Sequence, residues 1–307
     1  MTKAIIISLF ISIGAAKGIC QNIESVGDIQ SIEQKWLDVS YANASSAQKL
    51  DIYLPNEEEK IYPVIISIHG GAFMSGDKAD NQVLPMLKGL ERGYAVVSIN
   101  YRLSGEAKFP AQIFDVKAAI RWVKANATKY DLDPDKIAVW GGSAGGHLAS
   151  LAGTSAGVSE LEDLSMGNSE SSSRVQAVVD WFGPIDFLQM DEQFVVSGKG
   201  KPDHSLADSP ESKLLGQKIT EIPELVKKAN PATYISGDDP PFLIEHGTDD
   251  RLIPTKQSID FASQLERVMG SEKVKLIILD GADHGGPQFT TEANLTIVFG
   301  FLDAILK

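Results

Sequence analysis

Short apolar runs alternate with longer amphipathic stretches along most of the chain. Eight short segments have the composition of strands, and the last six are mainly apolar, as in strands buried on both faces: 38–41, 49–54, 64–68, 95–99, 137–140, 175–181, 242–245 and 274–279. Helical periodicity covers the intervening segments 83–92, 111–129, 144–156, 255–269 and 293–306. The alternation predicts βαβ units, and therefore an α/β fold with a mostly parallel central sheet flanked by helices.

Two segments interrupt this rhythm. Residues 159–173 are rich in Ser, Glu and Asp and are typical of a solvated surface loop. Residues 184–234 show little periodicity apart from a helical stretch at 221–229. Long irregular segments in compact domains usually serve as lids or binding loops. We therefore predict a cap-like insertion at 184–234, after the sixth strand, with a disordered spacer as the alternative.

Composition and charge restrict the function classes. The chain has 307 residues, 43% of them hydrophobic and 22% charged, which is ordinary for a globular protein with a large core. A formal net charge of −13 argues against nucleic-acid binding, which needs clustered Lys and Arg. Nothing in the sequence predicts an oligomeric state.

The N-terminus has the pattern of a targeting segment. Lys3 precedes an apolar stretch at 4–16, which is too short to span a bilayer. We predict a signal peptide at 1–20, a mature domain at 21–307, and a secreted or periplasmic protein; a buried first helix is the alternative. Cys20 is the only cysteine, so no internal disulfide can form. Its flanking sequence is a poor acylation site, which disfavours a lipid anchor through Cys20.

A candidate nucleophile lies between an apolar strand and a helix of small residues. Gly141-Gly142-Ser143-Ala144-Gly145 is a G-x-S-x-G pentapeptide in the strand–turn–helix context of a nucleophile elbow. The pentapeptide alone is a weak signal in a chain with 27 glycines, where it also fits a glycine-rich turn. Ser143 needs an adjacent base to react.

His284 is the best candidate for that base among the five histidines. It follows the last strand on a glycine-rich loop, and sites in α/β sheets form beyond the carboxyl ends of the strands. We expect the other four to be structural or, for His204, a surface residue of the insertion: His69, His147, His204 and His246.

Two adjacent carboxylates, Asp249 and Asp250, follow the strand at 242–245. Either lies where it can orient the imidazole of the base. We favour Asp250, because it directly precedes the apolar residues that lead into the next helix, and keep Asp249 as the alternative.

Backbone amides can supply an oxyanion hole in two places. Gly70 and Gly71 follow the strand at 64–68, where the missing Cβ atoms let amides approach a ligand. Ala144 begins the helix after Ser143, so its N–H is also available. A tight turn is the alternative reading of Gly70-Gly71, and His69 is expected to brace that loop.

Taken together, these motifs resemble the α/β-hydrolases, in particular the hormone-sensitive-lipase-like and BD-FAE-type bacterial esterases. The resemblance covers about residues 47–305. It rests on these sequences: His69-Gly70-Gly71-Ala72-Phe73, Gly76-Asp77, Asn100-Tyr101-Arg102-Leu103, Phe109-Pro110-Ala111-Gln112 with Asp115, Gly141 to Gly146, and His246-Gly247-Thr248 with Asp250. It implies ester hydrolysis by a triad of Ser143, Asp250 and His284. Ala72 departs from relatives that have a third glycine at this position.

The resulting expectation is a secreted serine carboxylesterase that uses no cofactor and no metal. Its substrate would be a small-molecule or polysaccharide-linked ester, such as an acetyl or feruloyl decoration, with Phe73, Trp181 and Phe182 as candidate substrate contacts. Two alternatives stay open. One is a prolyl-oligopeptidase-like peptidase, although few residues precede the sheet. The other is a non-catalytic binding protein on a hydrolase scaffold.

Overall fold

The computed structural model describes residues 29–56 and 61–307. The predicted signal peptide at 1–20, including Cys20, lies outside these residues. Within the described ranges, no helix combines the length and apolar character needed to cross a membrane.

One eight-stranded sheet runs through the molecule. Its strands are β1 (Lys35–Ser40), β2 (Lys49–Tyr53), β3 (Tyr62–Ile68), β4 (Ala95–Ile99), β5 (Leu132–Gly142), β6 (Ala177–Trp181), β7 (Phe242–Gly247) and β8 (Val274–Leu279). They lie in the order β1-β2-β4-β3-β5-β6-β7-β8. β2 is antiparallel to both β1 and β4, and every later pairing is parallel. The prediction of a mostly parallel α/β sheet is confirmed.

Eight α-helices accompany the sheet in the described part of the chain. They are α1 (Leu84–Leu87), α2 (Ala111–Ala125), α3 (Ala144–Thr154), α4 (Met190–Ser197), α5 (Pro210–Leu215), α6 (Pro223–Ala229), α7 (Lys256–Met269) and α8 (Glu292–Leu306). The helix predicted at 83–92 is wrong in length. It is reduced to the single turn of α1 between two 3-10 turns, and Gly93 ends the segment at φ 73°.

The sheet is covered on both faces, which explains the mainly apolar character of its central strands. Val64 and Ile66 of β3 join a core cluster that includes α2, α3 and α7. Ile65, pointing the other way, joins a second cluster that includes α1 and α8. This alternation follows from the two-residue repeat of a strand.

The segment between β6 and β7 is folded against the body. It contains α4, α5 and α6, of which only α6 falls in a stretch predicted to be helical. Phe187, Phe194 and Leu214 are almost completely buried, which favours a packed insertion over a disordered spacer. Gln257 of α7 fixes the start of the segment, because its Oε1 accepts hydrogen bonds from the Ile185 and Asp186 amides at 2.8 and 2.7 Å.

Candidate active site

Ser143 is the single residue between β5 and α3, and its backbone is strained. Its φ and ψ of 57° and −123° are unusual for a residue with a side chain. The Ser143 N–H donates to Trp181 O at 2.9 Å, and its carbonyl accepts from the His147 N–H at 3.0 Å. Neighbouring backbone on both sides therefore holds the serine at the tip of a sharp turn.

The glycines of the pentapeptide are required by close backbone approach. A Cβ added to Gly145 would lie 2.0 Å from Ile68 O in β3, and one on Gly141 would lie 2.3 Å from Gly145 C. Non-bonded atoms do not approach each other this closely, so only glycine lets α3 start so close to the sheet. The pattern around Ser143 thus has a steric cause.

Asp250 and His284 form a hydrogen-bonded pair. His284 Nδ1 lies 2.7 Å from Asp250 Oδ2, and Asp250 is 1% exposed. Its Oδ1 accepts from the Leu252 and Ile253 amides, both at 2.8 Å, which fixes the carboxylate plane. Asp249, the alternative, is directed elsewhere and pairs with Lys199 at 2.7 Å.

His246 is a second donor to the same carboxylate. Its Nε2 lies 3.2 Å from Asp250 Oδ2 and 3.1 Å from Ile253 O, while Nδ1 lies 2.7 Å from Ser258 Oγ. Although burial acts to raise the pKa of Asp250, hydrogen bonds from His246 and His284 keep that pKa well below its usual range. His246 is therefore structural, as expected, but through a contact with Asp250 that was not predicted. Its position four residues before Asp250 was the available signal for this contact.

In the loop after β3, one of the two predicted oxyanion donors already has a hydrogen-bond partner. The Gly70 N–H donates to Gln82 Oε1 at 2.8 Å, so this amide is already engaged, which argues against its predicted role. No hydrogen bond within residues 29–56 and 61–307 uses the amides of Gly71, Ala72 or Ala144. Ala72, with φ 55°, and Ala144 both line the cavity described below.

Polar contacts outside the triad candidates brace this loop. His69 Nδ1 lies 2.8 Å from Gly70 O, and its ring stacks on Tyr101 at a centroid distance of 4.4 Å. The Tyr101 hydroxyl donates to His69 O at 3.0 Å. Nearby, Arg102 pairs with the fully buried Asp115 at 2.8 Å. His69 therefore has the bracing position expected for it.

Ser143 and His284 line one cavity of about 560 Å³. Ala72, Phe73 and Ala144 contribute to its wall, together with residues 199–201, 203–204 and 210–211 of the segment between β6 and β7. Ser143, Asp250 and His284 follow β5, β7 and β8, so all three lie at the carboxyl edge of the sheet, with β6 between the first two of these strands. The sequence-predicted candidates therefore meet in space.

The three predicted substrate contacts have different positions. Phe73 lines the cavity. Trp181 does not, because it packs on the sheet face against Trp140 at a centroid distance of 4.9 Å, and this position does not support its predicted role. Phe182 is likewise absent from the cavity wall; it packs against the His284 ring at 4.6 Å and so supports that ring from the side.

The two remaining histidines are both buried. His147 is enclosed in α3, with Nδ1 2.7 Å from Pro184 O, which agrees with its expected structural position. His204 was expected at the surface, but it is only 8% exposed and pairs with Glu211 at 3.0 Å, so that expectation is wrong. Within the described residues, no group of three or more His, Cys, Asp or Glu side chains is arranged to hold a metal ion.

Comparisons with known proteins place this arrangement in a family. The family model BD-FAE matches residues 50–265. The chain is 36% identical over 234 residues to the "Probable carboxylic ester hydrolase LipM" of Mycobacterium tuberculosis, covering 75% of this chain and 52% of that protein. The chain thus spans about half the length of the curated relatives it matches.

Two solved structures are similar over most of the fold. One is a "Truncated form of carbohydrate esterase from gut microbiota", with a TM-score of 0.80 and 35% identity, covering 90% of this chain and 98% of that one. The other is a "Bifunctional GH43-CE" from Bacteroides eggerthii, with a TM-score of 0.79 and 41% identity, covering 88% of this chain and 35% of that one. With its sheet order and its matched residues, this chain belongs to the BD-FAE family of α/β-hydrolases.

Proposed function

We propose that the protein is a serine carboxylesterase. One observation carries the proposal: the strained Ser143 shares a cavity with His284, whose ring is held by the buried Asp250. Acyl transfer needs a nucleophilic hydroxyl, a base that takes its proton and an acid that orients the base. The ester hydrolases among the relatives support the same class of reaction.

In this proposal Ser143 Oγ attacks the ester carbonyl while His284 takes the hydroxyl proton. The carbon–oxygen bond to the alcohol then breaks, and His284 returns the proton to the leaving alkoxide. Water adds to the acyl-enzyme by the same route, releasing the acid and regenerating Ser143. Asp250 keeps the proton of neutral His284 on Nδ1 and stabilises the imidazolium that forms.

The developing oxyanion requires hydrogen-bond donors that are not already engaged. We assign this role to the amides of Ala144, Gly71 and Ala72, in place of the Gly70 amide that Gln82 occupies. Ala144 is the first residue of α3, so its N–H has no partner within the helix and adds the favourable end of the helix dipole. Losing one such donor typically costs about 100- to 1000-fold in rate.

The substrate class and cellular location are part of the proposal. A cavity of about 560 Å³ fits a small acyl group together with an aryl or sugar alcohol. The names of the two structural neighbours favour carbohydrate-linked esters, and we extend this to acetyl or feruloyl decorations of polysaccharides. Residues 1–20 would direct the protein to the periplasm or the medium, which sequencing the N-terminus of the mature protein would test.

Replacing the proposed nucleophile tests the function directly. Ser143→Ala should abolish hydrolysis of 4-nitrophenyl acetate and labelling by a fluorophosphonate probe, because no other atom would form the acyl-enzyme. Ser263→Ala, an exposed serine of α7, is the matched control and should keep both. Unchanged hydrolysis by a folded Ser143→Ala protein would exclude the mechanism. Cleavage of a dipeptide anilide in preference to esters would favour the peptidase alternative.

A further inference from the structure

The chain segment between β6 and β7 contributes a buried pair of ionisable side chains to the cavity wall. His204 Nδ1 lies 3.0 Å from Glu211 Oε1, and the two residues are 8% and 2% exposed. Both line the cavity that holds Ser143, although neither belongs to the elements that carry the proposed triad. The reaction as derived above uses neither of them.

Several contacts hold the pair in place. The Asp191 carboxylate accepts from the His204 and Ser205 amides at 2.8 and 3.0 Å. The His204 ring stacks on Phe194 at a centroid distance of 5.7 Å. Glu211 lies in the first turn of α5, where Ser209 caps the helix by accepting from the Ser212 amide at 3.1 Å. The pair is therefore presented to the cavity from a fixed backbone.

One oxygen of the pair has no protein donor. Within the described residues, Glu211 Oε2 is buried and makes no hydrogen bond. Buried polar atoms are nearly always paired, and a carboxylate oxygen without a donor is costly. Although burial acts to lower the pKa of His204, the hydrogen bond and charge of Glu211 raise that pKa above its usual value.

The charges around Glu211 restrict which ligand group could donate a hydrogen bond to its unpaired oxygen. Three cations, Lys199, Lys201 and Arg251, line the cavity against one further acid, Asp203, so a cationic group would be disfavoured there. A second carboxylate would be repelled by Glu211. A neutral hydroxyl fits both conditions, since it carries no charge and can donate to Glu211.

We propose that His204 and Glu211 form a recognition site for hydroxyl groups on the alcohol part of the substrate, which makes the preferred substrate an ester of a sugar or another polyol. This inference rests on the proposed esterase function and specifies its substrate class. Glu211 acts as a specificity residue through the substrate hydroxyl and takes no part in the acyl transfer itself.

Two esters with the same acyl group test this specificity. A methyl xyloside monoacetate offers free hydroxyls, and 4-nitrophenyl acetate offers none. For Glu211→Gln, the ratio of kcat/KM for the sugar ester to kcat/KM for the nitrophenyl ester should fall by about 10-fold or more, mainly through KM, because a hydrogen bond to a charged acceptor is lost. Glu192→Gln, an exposed acid of α4, is the control and should leave the ratio unchanged.

A second measurement keeps the test decisive if Glu211→Gln does not fold. The wild-type protein should prefer the sugar monoacetate over the same ester with its hydroxyls methylated by about 10-fold or more. Hydrolysis of both esters without this preference, or an unchanged ratio in folded Glu211→Gln, overturns the inference and leaves the esterase function intact. Failure of the wild type to hydrolyse any of the esters overturns the proposed function itself.

Discussion

The orienting role of Asp250 can be tested by exchanging a single atom, in Asp250→Asn. In the structure Oδ1 is fixed by two amide donors, from Leu252 and Ile253. An asparagine keeps those two bonds only if its carbonyl occupies the Oδ1 position. Its NH₂ group must then face His284 Nδ1, which lies 2.7 Å from Oδ2.

This orientation forces the wrong tautomer on His284. Facing a donor, Nδ1 must accept, so the ring proton moves to Nε2 and the nitrogen meant to deprotonate Ser143 is blocked. In Ser-His-Asp triads this change costs about 10⁴-fold in kcat, which corresponds to about 5 kcal/mol of transition-state stabilisation. The opposite orientation would set two donors against the Leu252 and Ile253 amides and is therefore disfavoured.

The assay is the hydrolysis of 4-nitrophenyl acetate at neutral pH, with thermal melting to confirm the fold. We expect kcat to fall by about 10³- to 10⁴-fold, with a folded protein whose melting temperature is lowered because the hydrogen bond from the buried His246 to Oδ2 is also lost. Asp249→Asn changes the neighbouring exposed carboxylate, which pairs with Lys199, and should keep wild-type activity. Activity of Asp250→Asn within 10-fold of the wild type would refute the argument, as would an equal loss in both variants.

Two further predictions concern the stability of the fold. Gly145→Ala would place a Cβ 2.0 Å from Ile68 O and should destabilise the protein by about 3 kcal/mol or more. The control is Gly105→Ala, whose Cβ meets nothing within 4 Å and which should melt like the wild type. Equal melting temperatures for the two variants would contradict the packing argument. Burial raises the pKa of Glu245 to about 7, against an ordinary value of 4.5, despite a hydrogen bond from Asn294. The folded state holds the Glu245 proton more tightly than the unfolded state does. This contribution to the free energy of unfolding is therefore fully present below pH 4.5 and is lost as pH rises through about 7. The loss is on the order of 3 kcal/mol in all. Glu245→Gln should flatten this part of the curve of melting temperature against pH. A variant curve parallel to that of the wild type would contradict the raised pKa of Glu245.

The sequence predicted the parts of the molecule that depend on local pattern. The central strands are apolar because both faces of the sheet are covered, so each was recognisable without knowledge of its partners. Ser143, Asp250 and His284 follow β5, β7 and β8, and that position made them candidates before any distance was known. Their roles in catalysis remain predictions.

Contacts between distant segments were not predictable in this way. The engagement of Gly70 depends on Gln82, a side chain from the following 3-10 turn, and nothing in the glycine pair itself indicates it. The helices α4 and α5 are too short to show a helical period, which left the surroundings of Glu211 without a pattern. The burial of His204 follows from that local fold.

The anchoring of residues 185 and 186 to Gln257 has an evolutionary consequence. The segment that follows can lengthen, shorten or change its side chains while its point of departure from the sheet stays fixed by α7. The atoms proposed to react all lie outside that segment. Under this arrangement, mutations that select a new alcohol group and mutations that affect bond cleavage would accumulate in separate parts of the gene.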